Sequence, residues 1–109
     1  MYPKEYDPDM IAFERSRIFS EWLDALKDLN GKGRIISRIK KAENGNFGDC
    51  GFVGDTVYEM RVHYGPGYRM YFTRKGEVIY LLLIGGDKST QKRDIKRAVQ
   101  MAHNIGNEE

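Results

Sequence analysis

The residues best suited to chemistry in this 109-residue chain are bunched between Glu59 and Lys88. Two arginines (Arg61, Arg69), a histidine (His63), a glutamate (Glu59) and a tyrosine (Tyr71) alternate with apolar residues along two short runs, 57–64 and 68–73. Guanidinium groups stay charged and grip phosphate oxygens two at a time, and a histidine or glutamate beside them can exchange a proton with a ribose hydroxyl. Such a set suits a phosphodiester substrate. The same alternation has a plainer outcome, because any antiparallel sheet with one solvated face carries residues of this kind as cross-strand ion pairs.

Other motifs fall away on spacing. Gly85-Gly86-Asp87-Lys88-Ser89-Thr90 lacks the four residues between glycines and the glycine before lysine that a phosphate loop requires. Cys50, His63 and His103 have no metal-ligand spacing, and no serine or cysteine sits in a nucleophile motif. No metal or cofactor is expected.

The elements that must position the polar set follow from periodicity. Ile18, Phe19, Trp22, Leu23, Leu26 and Leu29 recur at helical steps behind Ser16, a cap residue, predicting a helix from Ser16 to Leu29. Asn30, Gly31 and Gly33 break it, and Ile35, Ile36, Ile39 and Ala42 predict a second helix whose outer face shows Arg34, Arg38, Lys40 and Lys41. A glycine-rich loop follows from Asn44 to Gly54, with a short strand at Cys50 to Val53. The period then becomes two, and Gly65-Pro66-Gly67 joins the two alternating runs as an antiparallel hairpin. A three-residue loop would set Tyr64 opposite Tyr68, His63 opposite Arg69, Arg61 opposite Tyr71 and Glu59 opposite Thr73. The polar set would then share one exposed face. Val78 to Ile84, apolar throughout, predicts a central strand of undecided parity, ended by Gly85 and Gly86. Ile95, Ala98, Val99, Ala102 and Ile105 predict a final helix, and a weak strand signal lies near Tyr2 to Tyr6.

Length and composition bound the rest. The chain is read as a single domain over 1–109, with an ordinary globular balance of 40% hydrophobic and 31% charged residues. One cysteine permits no internal disulfide, and no apolar run approaches the roughly 18 residues of a membrane span, so a cytoplasmic protein without membrane partners is expected. The net charge of +2 is divided unevenly: 1–30 hold four basic against seven acidic residues, and 31–109 hold fourteen against nine.

Phe19-x-x-Trp22-Leu23, Arg34 to Ile39, Gly45-Asn46-Phe47-Gly48-Asp49, Val57-Tyr58-Glu59-Met60-Arg61, Gly65 to Phe72 and Gly85-Gly86-Asp87-Lys88 form an ordered series. Together they resemble the addiction-module killer family of the RelE/ParE (HigB-like) toxin superfamily. The resemblance implies a RelE-like α+β fold, with an N-terminal helical hairpin on an antiparallel sheet of about four strands and a C-terminal helix. It further implies a type II toxin that cuts translated mRNA at the 70S ribosome. Its partner would be a helix-turn-helix antitoxin, through which alone operator DNA is touched. RNA supplies its own 2′-hydroxyl nucleophile, so the resemblance requires no metal or cofactor. By position, Arg69 takes the place of the phosphate-binding strand arginine, Arg61 that of a basic residue on the preceding strand, and Lys88 that of a basic residue after the last strand. Glu59 falls where RelE has a lysine, so the all-basic proton-transfer scheme does not carry over. Glu59 and His63 are the candidate bases, Tyr71 a candidate to stack on or hydrogen-bond RNA, and Arg34, Arg38, Arg74 and Lys75 candidate RNA contacts. Two other roles stay open, a ParE-like DNA gyrase inhibitor without nuclease activity and a non-catalytic antitoxin-binding corepressor.

Overall fold

A computed structural model describes residues 11–77 and 79–107. The chain runs β1 (Ala12–Arg15), α1 (Arg17–Ala25), α2 (Leu29–Glu43), β2 (Cys50–Gly54), β3 (Val57–Val62), β4 (Tyr68–Arg74), β5 (Ile79–Asp87), a 3₁₀ turn (Lys88–Thr90) and α3 (Gln91–Asn107). The strands form a five-stranded sheet in the order β1-β5-β4-β3-β2, with β1 parallel to β5 and the other pairs antiparallel. The class is α+β, as expected, but the sheet is mixed and has five described strands rather than about four antiparallel ones. Four residues, Ala12 to Arg15, are too few to show a period, and β1 exists because β5 offers it an edge. The weak signal near Tyr2 to Tyr6 lies outside the described residues.

The first helix ends earlier than its apolar stripe suggests. Ser16 Oγ accepts from Phe19 N–H at 2.9 Å and caps α1 as expected, but Leu26 is extended and Asp28 caps a new helix by accepting from Gly31 N–H at 3.0 Å. The residues read as breakers, Asn30, Gly31 and Gly33, therefore sit inside α2. Gly31 is there for packing: a Cβ would stand 2.6 Å from both the Tyr68 ring and the Asp28 carboxylate.

The sheet is covered on both sides. Phe19, Leu23, Ile35, Ile39 and Ala42 of α1 and α2 pack on Met60, Val62, Tyr68, Met70, Phe72 and Leu82. Ala98 and Ala102 of α3 pack on the other face against Val57, Tyr71, Leu83 and Ile84. A bulge resolves the parity of the all-apolar strand: Tyr71 pairs with Ile84 but Phe72 with Leu82, so Leu83 is the extra residue and the two faces are served by neighbours in sequence. β5 also continues through Gly85 and Gly86, where those glycines were expected to end it. Trp22 of α1 presses on one face, where a Gly85 Cβ would be 2.2 Å from the indole, and Asp94 of α3 on the other, where a Gly86 Cβ would be 1.9 Å from its carboxylate. Among the described residues no helix is long and apolar enough to cross a membrane.

Candidate functional site

The β3–β4 hairpin sets the site. Its register pairs Val62 with Tyr68, Arg61 with Arg69, Glu59 with Tyr71 and Val57 with Thr73, two residues from the expected alignment. The loop is longer than three residues because Tyr64 turns back on the ladder: Gly67 N–H donates to Tyr64 O at 3.0 Å, and the Tyr64 ring lies 4.4 Å beneath the Arg34 guanidinium. A slip of two preserves faces, so Glu59, Arg61, Arg69 and Tyr71 still share one side. It does, however, place the two arginines directly opposite each other, an arrangement that repels unless anions intervene.

Two carboxylates offset this repulsion, Glu59 between both arginines and Asp49 on Arg61 alone. Glu59, fully buried, lies 2.9 Å from Arg61 Nε and 3.5 Å from Arg69 Nε, and accepts from Gln91 Nε2 of α3 at 2.9 Å. Asp49, at the end of the glycine-rich loop, lies 2.5 Å from Arg61 Nη1 with one oxygen and 2.5 Å from His63 Nε2 with the other. These contacts, His63 first and Arg61 after it, hold the Asp49 carboxyl below the usual range. Arg69 Nη1 donates to Gly67 O at 2.8 Å. A Gly67 Cβ would lie 3.0 Å from Arg69 Nη1 and 3.5 Å from Lys88 Cβ, so Lys88, exposed at the head of the 3₁₀ turn, borders the same spot.

The polar face, predicted to be exposed, is thus largely enclosed. α3 covers Glu59 and Tyr71, both 0% accessible, and leaves only the end of the face carrying Arg61, Arg69 and Lys88 near solvent. Burial, then the neighbouring Glu59 carboxylate, pushes the Tyr71 phenol far above its ordinary value, so it remains protonated. An enclosed ring cannot stack on RNA, which corrects that expectation. His63 sits just beyond β3, with 73% of its side chain accessible.

The other expected contacts are scattered. Arg34 is exposed on α2 and shares a depression of about 190 Å³ with Ser37, Arg38, Lys41 and His63. Arg38 is committed to the chain itself, donating through Nη2 to Phe47 O at 2.6 Å and through Nη1 to Arg61 O. Arg74 and Lys75 lie at the far end of β4, about 16 Å along the strand from Arg69. There Arg74 binds the carbonyls of Gly76 and Glu77, and Lys75 pairs with Glu14 at 2.9 Å. Among the described residues no group of three or more His, Cys, Asp or Glu is placed to hold a metal ion. Asp49 and Gln91 escaped the sequence reading because a loop without period, and the first residue of a helix, carry no register.

Residues 21–104 match the family described as "Phage derived protein Gp49-like (DUF891)". The chain belongs to this family. It is a family of type II toxins, and membership implies an antitoxin partner. The Gp49-like chain is 44% identical over 96 residues to an uncharacterised protein of Haemophilus influenzae, covering 88% of this chain and 97% of that relative. A looser likeness links it to the solution structure of the conserved hypothetical protein HP0894 from Helicobacter pylori, at 20% identity and a TM-score of 0.48, over 73% of this chain and 97% of that one.

Proposed function

We propose that this Gp49-like chain is a RelE/HigB-type toxin that acts as an mRNA interferase on translated mRNA at the ribosome and is neutralised by a helix-turn-helix antitoxin. The observation that carries this reading is the cross-strand pair Arg61 and Arg69 with an accessible histidine, His63, beside it. In the proposed reaction the arginines, with Lys88 at the border, hold the scissile phosphate and take up its added negative charge. His63 removes the proton of the 2′-hydroxyl, the O2′–P bond forms, and the P–O5′ bond breaks with the departing O5′ taking a proton from water. The products are a 2′,3′-cyclic phosphate and a 5′-hydroxyl. Glu59 supports the arginines from below and does not act as base, since its buried carboxylate has no path to a ribose.

Primer extension on a reporter mRNA in a cell-free translation system tests the reading. Wild-type protein should cut within translated codons, and Arg69→Ala should reduce cutting by about 10²- to 10³-fold, the usual cost of one lost charge-stabilising donor. Arg69→Lys keeps the charge that faces Glu59 but loses the planar fork, and should also be impaired while melting close to wild type.

One feature favours a second reading. Glu59 and Asp49 already balance the two arginines, so a phosphate must compete with carboxylates in place. Intact mRNA with toxicity in cells would move the assignment to a ParE-like gyrase inhibitor, and antitoxin binding without toxicity to a corepressor.

A further inference from the structure

We infer that Asp49 is a positioning residue of this site: it holds His63 by Nε2 and Arg61 by Nη1, so that the imidazole presents Nδ1 to the substrate. The inference rests on the proposed interferase reading and adds to it which residue orients the proton carrier and which ring nitrogen reacts. His63 follows β3 rather than lying in it, and Asp49 is the contact described for its ring. An exposed imidazole without such a partner turns freely and divides its proton between both nitrogens.

The loop that delivers Asp49 is itself fastened. Arg61 N–H donates to Asp49 O at 2.9 Å, and Arg38 ties the carbonyls of Phe47 and Arg61 together. Gly48, at φ +63°, passes so close to the Arg38 guanidinium that a Cβ would be 2.8 Å from Nη2, and a Gly51 Cβ would be 3.0 Å from Arg61 Nη2. The segment from Phe47 to Gly51 is therefore shaped around two guanidinium groups, which fixes the Asp49 carboxylate in space. Arg38, taken from sequence as an RNA contact, has this internal task instead.

The chemistry follows from protonation. An ionised carboxylate can only accept, so the nitrogen facing it must carry hydrogen, and in neutral His63 the Nδ1 lone pair is left free to take the 2′-hydroxyl proton. The imidazolium that results keeps its anionic partner. The two oxygens act on different groups, and Arg61 retains Glu59 when Asp49 is removed. The loss should thus fall on the rate of the chemical step more than on substrate binding.

The test pairs spectroscopy with a double-mutant cycle on the full chain. In ¹⁵N-labelled protein, at a pH where the same spectra show the imidazole neutral, long-range ¹H–¹⁵N correlation should show His63 as the Nε2–H tautomer, and Asp49→Ala should convert it to a mixture. Single-turnover cleavage of mRNA on programmed ribosomes should fall on the order of 10- to 100-fold in Asp49→Ala, as when a carboxylate behind a histidine is lost, with little change in the concentration for half-saturation. In a His63→Gln background the same substitution should cost almost nothing further. An unchanged tautomer, or an equal loss in both backgrounds, overturns the role. A wild-type chain with the tautomer fixed but no cleavage overturns the interferase reading, and the positioning role falls with it.

Discussion

Glu59 is the residue whose placement changes its meaning most. Alternation puts it on a polar strand face, and only the overlying helix shows that the carboxylate is enclosed among Arg61, Arg69, Gln91 and Tyr71. A buried charge is tolerated when its partners are complete, and removing one partner leaves the others without compensation. Glu59→Gln should therefore destabilise the chain by about 3 kcal/mol in urea unfolding, the lower end for a broken buried pair because Arg61 keeps Asp49. Below its lowered melting temperature the variant should still cleave mRNA within a few-fold of wild type. A normally folded variant without cleavage would instead place Glu59 in the proton transfer.

At the scale of elements, β5 and the α1–α2 break carry the most consequence. β5 passes between Trp22 and Asp94 only because two residues near its C-terminal end, Gly85 and Gly86, lack a side chain. Gly85→Ala forces the indole or the strand to move and should cost about 1–3 kcal/mol, the range for an overpacked core. Combining it with Trp22→Leu should cost less than the sum of the two single changes, since both act on one contact. The break depends on Asp28, which caps α2 and also accepts from Tyr68 Oη at 2.8 Å. Asp28→Ala should lower stability through loss of the cap, read as a fall in the urea midpoint at unchanged slope.

For the whole molecule, the helices enclose the sheet from both sides and leave titrating groups between the layers. Burial first, then the Asp28 carboxylate, pushes the Tyr68 phenol up to about 12, and Tyr71 is raised further. A phenol raised on folding contributes stability that is complete below its unfolded value, near 10, and is lost as pH rises through the folded value. Urea midpoints should therefore hold up to about pH 10 and fall steadily above it. Tyr68→Phe should remove part of that slope. Asp28 and Asp49 act at the opposite end: both are held below their ordinary value of 3.8, so their contribution is present above it and is lost as pH falls through the folded values.

Much of this protein was legible in its residues. Helical spacing at Ile18 to Leu26 and at Ile35 to Ala42, the change to period two at Val57, and the turn at Gly65 to Gly67 determine the helix–helix–strand–helix order. Those signals are local, carried by neighbours within a turn or a pleat. Face membership of Glu59, Arg61, Arg69 and Tyr71 was legible too, because a two-residue error in register does not alter it. What only the tertiary structure decided was long-range: that β1 joins β5, that Arg61 stands opposite Arg69, that α3 seals Glu59 and Tyr71 from solvent, and that Asp49 reaches His63. Each depends on packing between segments distant in the chain, and a pattern read along the chain holds no record of which distant segment covers a face or closes a loop.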